Sequence, residues 1–168
     1  NSGGPLLNMA GQVIGVNSQI LSDSGSSSGV GFAIPGNLVA RVAQELIADG
    51  TVDYSYIGLS GSDMTLDLIQ ALNLPGNTRG VVVAEAVRGG PAAQAGLQSA
   101  QVGTRGSVAS FDLVTAINGT PVDGMNELIS FLVRETKPGQ TVTLTVLRNG
   151  TETLSLPVTL ASRPSVLP

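Results

Sequence analysis

The sequence predicts a mainly β fold with short helices, and three observations carry that reading. Twenty-two glycines and nine prolines recur along the 168 residues, dividing the chain into short segments joined by tight turns. Apolar residues make up 42% of the chain, a share too large for a disordered tail. Charged residues make up 12%, about half of the ~25% usual in soluble domains, so little of the chain can serve as the solvated face of long helices. The length fits one domain of ~150 residues or a smaller domain with an appendage.

Taken in order, residues 5 to 21 hold two apolar runs around Ala10-Gly11, the pattern of a β-hairpin with strands near 5–9 and 12–18. A Gly/Ser loop follows at 22 to 31, and Gly31-Phe32-Ala33-Ile34-Pro35 reads as a short strand closed by proline. Leu38, Val39, Val42, Ala43, Leu46 and Ile47 fall at helical spacing, with Asn37 as N-cap and Gly50 as the stop. Residues 51 to 55 show no period and read as a linker.

Beyond it, Tyr56-Ile57-Gly58-Leu59 reads as a short apolar strand, Leu66 to Leu72 as a short helix, and Gly80 to Ala84 as a buried strand. Pro91 to Leu97 spans one to two helical turns stopped by Gly96, and the Gly/Ser/Thr-rich residues 98 to 110 read as an inserted loop. Leu113 to Ile117 is a strand running into an Asn118-Gly119 turn, and Met125 to Glu135 is an amphipathic helix. Thr141 to Leu147 and Glu152 to Leu160 form a hairpin around Asn149-Gly150. The tail from 161 to 168 carries two prolines and reads as frayed. Both Asn-Gly-Thr triplets match the glycosylation pattern, but Asn-Gly is what a hairpin turn needs for its positive φ.

Composition excludes several chemistries. The formal charge of −4, with no cluster of Lys or Arg, offers no footprint for a nucleic acid backbone. With no Cys and no His, the chain supplies no disulfide, thiolate, zinc site or histidine base, and no cofactor or metal site is expected. Acids such as Asp112, Asp123 and Glu127 lack partners at metal-ligand spacing. The first 22 residues are uncharged, yet polar side chains interrupt them too often for a membrane span, and they show neither the basic n-region nor the apolar h-region of a signal peptide.

Asn1-Ser2-Gly3-Gly4-Pro5, followed by the hairpin, the Gly/Ser loop and Gly29-Val30-Gly31-Phe32-Ala33-Ile34-Pro35, resembles the end of the chymotrypsin-like domain of HtrA/DegP-type serine proteases. A serine nucleophile needs a tight, glycine-flanked turn that lets its own N–H face an oxyanion. The resemblance implies that Ser2 is the nucleophile and one oxyanion donor. It implies that Val16, Asn17 and Ser18 form the strand that pairs with substrate, that Ile20 lies at the primary pocket, and that Ser22 to Gly31 form a regulatory loop. It places the triad His and Asp, and the second oxyanion donor, upstream of Asn1, so this chain alone is expected to be inactive. A barrel remnant this small cannot close its sheet, so residues 1 to 35 are expected to pair with another chain or to pack irregularly.

Tyr56-Ile57-Gly58-Leu59, Gly80-Val81-Val82-Val83, Gly90 to Leu97, Asp112 to Gly119 and Pro138-Gly139-Gln140-Thr141-Val142 together resemble a bacterial PDZ domain. Such domains bind a peptide's terminal carboxylate in the amide nest of the apolar-Gly-apolar loop while the peptide adds as a strand beside residues 59 to 63. The resemblance implies that Tyr56, Ile57, Gly58 and Leu59 form that loop. The facing wall is Met125 to Glu135, which carries two apolar stripes; Met125, Ile129 and Leu132 are assigned to the groove.

The implied architecture is a chymotrypsin-like β-barrel remnant at 1–50, a linker at 51–55, and at 56–160 a PDZ domain in the form of a partly open β-barrel with two helices. The implied function is that of an ATP-independent serine endopeptidase acting on misfolded or unfolded proteins outside the cytoplasm. Its partners would be polypeptides and peptide C-termini, with homo-oligomers, trimeric in the family, allowed. The alternative is a non-catalytic peptide-binding module.

Overall fold

The computed structural model describes residues 1–20, 30–103 and 108–165. The chain divides into two compact units, Asn1–Val52 and Asp53–Pro168.

In the first unit the two apolar runs form the expected hairpin. β1 (Pro5–Leu7) and β2 (Val13–Ile20) pair antiparallel, and β3 (Gly31–Pro35) adds to the other edge of β2. The connection is wider than a two-residue turn: Asn8 closes it, donating its N–H to the Gln12 carbonyl at 3.0 Å and accepting the Ala10 and Gln12 amides on its side chain. Most of the Gly/Ser loop lies outside the described residues.

Helix α1 (Gly36–Asp49) corrects the expected start. Pro35 occupies the cap position, and the Asn37 side chain accepts only from its neighbour Leu38, so Asn37 is not the N-cap. Gly36 fits there because a Cβ would lie 3.1 Å from the Ile14 carbonyl. The stop is as expected, with Gly50 left-handed at φ 72° and its N–H on the Leu46 carbonyl. Among the described residues of 1 to 35, β1, β2 and β3 form a regular antiparallel ladder rather than irregular packing. The unit nevertheless has no buried hydrophobic side chain among the described residues, and Met9 and Ile47 stand 105% and 86% exposed.

The second unit opens with β4 (Ser55–Tyr56), β5 (Leu59–Asp63), α2 (Leu66–Ala71), β6 (Val81–Ala86) and α3 (Pro91–Gln94). There follow β7 (Gln101–Val102), β8 (Val108–Ser110), β9 (Asp112–Ile117), β10 (Thr120–Pro121), α4 (Met125–Glu135), β11 (Thr141–Arg148), β12 (Glu152–Thr159) and β13 (Ala161–Ser162). The main sheet has the order β12-β11-β9-β6-β5, with β10 on β9, which leaves β5 at an edge. The sheets are open, and three helices, not two, accompany them.

The apolar run Val81-Val82-Val83 is continuous because β6 is covered on both faces. Val81 and Val83 join the main core with Val114, Ile117, Leu128 and Leu144, while Val82 packs with Phe111, Leu113 and the α2 side chains Leu68 and Leu72. Asn118 and Asn149 take φ of 49° and 52° ahead of positive-φ glycines, as the turn reading requires.

Three expectations change here. Tyr56 to Leu59 is not one strand: β4 ends at Tyr56 and β5 begins at Leu59, because Gly58 at φ 74° breaks the extended run. Residues 98 to 110 are not simply a loop, since β7 and β8 pair there, although 104–107 lie outside the described residues. The tail is not frayed at its start. Ala161 and Ser162 pair with Tyr56 and Ser55, so backbone bonding orders both ends of the unit at once.

Asp112, fully buried, is held by Arg148 through two bonds of 2.8 Å and by the Gln98 amide at 2.8 Å. Arg148 also donates to the Gly96 carbonyl at 2.8 Å, and its bond to Asp112 raises the guanidinium pKa further. This pair ties the end of the α3 turn to β9 and β11. Among the described residues no helix is long and apolar enough to cross a membrane.

Candidate functional site

A groove of about 500 Å³ lies between the edge strand β5 and helix α4. Its floor includes Ile57, Gly58 and Leu59, and its α4 wall presents Met125, Leu128, Ile129, Leu132 and Val133. All seven residues that the sequence assigns to peptide binding therefore line one groove: Tyr56, Ile57, Gly58, Leu59, Met125, Ile129 and Leu132. The two α4 stripes divide in energy terms as well as in position. Leu128 and Leu132 are buried in the core, while Ile129 stays 49% exposed, so its apolar surface remains available to a ligand.

The loop at the groove's end is built by hydrogen bonds on its outer side. The Ile57 carbonyl accepts the Ala92 amide of α3 at 2.9 Å, and the Gly58 carbonyl accepts the Val87 amide at 2.9 Å. In a trans peptide the C=O of one residue and the N–H of the next point oppositely. Fixing these two carbonyls toward α3 and the turn before it therefore aims the amides of Gly58 and Leu59 the other way, toward the groove. Only a glycine fits between them: besides its positive φ, a Cβ on Gly58 would meet Pro91 Cδ at 3.0 Å.

At the far end of the groove the Asp63 side chain accepts the Met125 amide at 2.7 Å, so the last residue of β5 caps the first turn of α4. This bond sets the spacing of the two walls. Charge along the groove is sparse. Among the described lining residues Arg163 is the basic one and Glu85 the acidic one. Arg163 sits at the loop end, its amide donating to the Tyr54 carbonyl at 2.9 Å. Sequence reading missed Asp63, which holds the start of α4, and the lining residues Glu85 and Arg163, because their roles depend on pairing between distant segments.

Ser2 occupies a separate cleft in the first unit. The turn is closed by the Gly4 amide on the Asn1 carbonyl at 3.0 Å, with Gly3 at φ 83°. It is pinned to β2 through Asn17, whose carbonyl accepts the Gly3 amide at 2.8 Å and whose amide donates to the Gly4 carbonyl at 2.9 Å. The Ser2 hydroxyl donates to the Ser18 carbonyl at 2.7 Å. A cavity of about 380 Å³ next to it is bordered by Ser2, Asn17, Gln19 and Phe32.

Val16 pairs with Pro5 on one side and Ile34 on the other, so neither it nor Asn17 offers a free edge toward β1. Ser18 is the extra residue of a bulge between Asn17 and Gln19, and from it onward no described strand pairs with β2 on the Ser2 side. Of Val16, Asn17 and Ser18, Ser18 is thus the one with no described strand beside it on that side. Ile20 ends β2, opposite Gly31.

The second unit thus sets an edge strand against a helix across an apolar groove, with a glycine loop at its end. Residues 55–160 match the family model of the PDZ domain, and the chain belongs to that family. Over nearly its whole length it is also similar to HtrA/DegP-type serine endoproteases. It is 39% identical to the periplasmic pH-dependent serine endoprotease DegQ of Escherichia coli over 165 residues, 98% of this chain and 33% of that protein. It is 38% identical to the chloroplastic Protease Do-like 1 of Arabidopsis thaliana, covering 98% of this chain and 36% of that one. Among solved structures, the HtrA-type protease AlgW with a decapeptide superposes with a TM-score of 0.71 at 36% identity, covering 98% of this chain and 46% of that one. The chain thus spans about a third of the length of these curated relatives.

Proposed function

We propose that this chain captures polypeptide C-termini in the groove between β5 and α4, and that it serves a serine endopeptidase of the HtrA/DegP type acting on misfolded or unfolded proteins. The observation that carries the reading is the pair of outward-held carbonyls at Ile57 and Gly58, which leaves two adjacent amides aimed at the groove. A terminal carboxylate accepts both amides, each such charge-assisted bond contributing about 1.5–3 kcal/mol. The peptide backbone extends the sheet at β5, and its last side chain enters the apolar space beside Ile129 and Leu132. That burial contributes about 1.5–3 kcal/mol more for a Val, Leu or Phe.

The AlgW structure, by its description, holds a decapeptide, which supports a peptide as the ligand class. A peptide with a free hydrophobic carboxy terminus is expected to bind at least ~10-fold more tightly than its amidated twin, a difference of about 1.4 kcal/mol. Equal affinities would remove the carboxylate assignment.

In the endopeptidase, Ser2 Oγ attacks the substrate carbonyl and the Ser2 N–H receives the developing oxyanion. The proton must leave Ser2 for a base that this chain does not contain, since it has no histidine. By its likeness to the HtrA/DegP-type endoproteases, the protease's triad His and Asp lie outside these 168 residues, which by themselves bind without cleaving. Several relatives are named periplasmic, which supports a place outside the cytoplasm. The whole gene product should digest an unfolded protein and its Ser2→Ala variant should not. Cleavage by neither would leave the second reading, a peptide-binding module without proteolysis, which the absence of histidine favours for the chain alone.

A further inference from the structure

We infer that the groove selects peptides with Lys or Arg as the penultimate residue, and that Glu85 is the residue that reads it. The inference rests on the peptide-binding reading above and deepens it. β5 is paired with β6 on one edge only, so an added peptide occupies the other edge. With its carboxylate at the Gly58 and Leu59 amides and its chain antiparallel to β5, its last residue lies opposite Leu59, the next opposite Ser60 and the third opposite Gly61.

Directly opposed residues in a sheet project from the same face. Leu59 packs against the core, so the last and third residues of the peptide face α4. The penultimate side chain shares the opposite face with the exposed Ser60. Ser60 is in turn the cross-strand partner of Glu85 on β6. Peptide, Ser60 and Glu85 therefore form one row across about 10 Å, two strand spacings, with only a serine side chain between. A long cationic side chain closes that distance. The Glu85 carboxylate is exposed and has no hydrogen-bond or ionic partner among the described residues, and no other acid lines the groove.

The test uses three fluorescent decapeptides that share a hydrophobic free C-terminus and differ only in a penultimate Lys, Gln or Glu, titrated with the 168-residue chain in low salt. Lys is expected to bind about fivefold more tightly than Glu, the scale for exposed charges where attraction is exchanged for repulsion. Glu85→Gln should level the three, and Glu85→Lys should reverse their order. A wild-type chain that ignores the penultimate charge, or a Glu85→Lys variant that keeps the wild-type order, overturns the inference. Amidated versions run in parallel separate the two levels. Should they bind as tightly as the free acids, the carboxylate reading falls, and with it the register on which this inference stands.

Discussion

Replacing Gly58 by alanine tests the site at its narrowest point. Gly58 sits at φ 74°, where an L-residue costs about 1–2 kcal/mol. The new Cβ would also lie 3.0 Å from Pro91 Cδ and 3.4 Å from Gly90 Cα. Neither neighbour yields cheaply, because Gly90 donates to the Val87 carbonyl at 2.8 Å and Pro91 begins α3. Relief comes from rotating the loop, which turns at least one of its amides away from the bound carboxylate. Losing one charge-assisted bond of ~1.5–3 kcal/mol weakens binding roughly 10- to 150-fold.

The assay is a fluorescence titration with a free-acid decapeptide and its amide, together with thermal melting. Gly119→Ala serves as the control: it also has a positive φ of 77°, but nothing lies within 4 Å of its Cβ position. It should lower the melting temperature without changing affinity. If Gly58→Ala binds within twofold of wild type and still prefers the free acid, the amide-nest argument is refuted.

Three further outcomes are expected. Arg148→Met leaves the buried Asp112 with only the Gln98 amide and should destabilise the unit by about 3 kcal/mol, or roughly 10 °C in Tm. Adding Asp112→Asn should recover much of that loss, and a single variant costing under ~1 kcal/mol would show that the pair is not a buried one in solution. Asp63→Ala should weaken peptide binding several-fold by releasing the start of α4, while Asp63→Asn, which keeps an acceptor for the Met125 amide, should stay near wild type in the same titration. Arg163→Gln should weaken the free acid but not its amide, with an effect that fades near 1 M salt.

Much of the second unit is legible in the sequence because its signals are local. Asn-Gly at 118 and 149 fixes two turns through backbone conformation alone, and the valine run at 81–83 announces a strand buried on both faces. The missed features need partners far away in the chain. β4 and β13 are two residues each, too short for any periodicity, and exist because Ser55-Tyr56 meets Ala161-Ser162. Asp63 looks like any turn acid until α4 arrives 62 residues later. The α1 start failed for a related reason: Asn37 has the stronger capping side chain, but the approach of Gly36 to Ile14 decides where the helix begins. At the Ser2 site the glycine turn is visible in sequence, whereas its anchoring on both backbone groups of Asn17 is not.

The β4–β13 pairing bears on where the binding module ends. The family match stops at residue 160, just before the two-residue strand β13 that seals the loop end of the groove. A chain trimmed at that boundary would keep its six-stranded sheet and main core while losing Arg163 and the cover over Tyr54 and Ser55. Because entry and exit strands run side by side, the unit also resembles a clasped ring. Ligation of residues 54 and 163, with new termini opened at Asn118-Gly119, would yield a circular permutant in which the clasp becomes an internal hairpin.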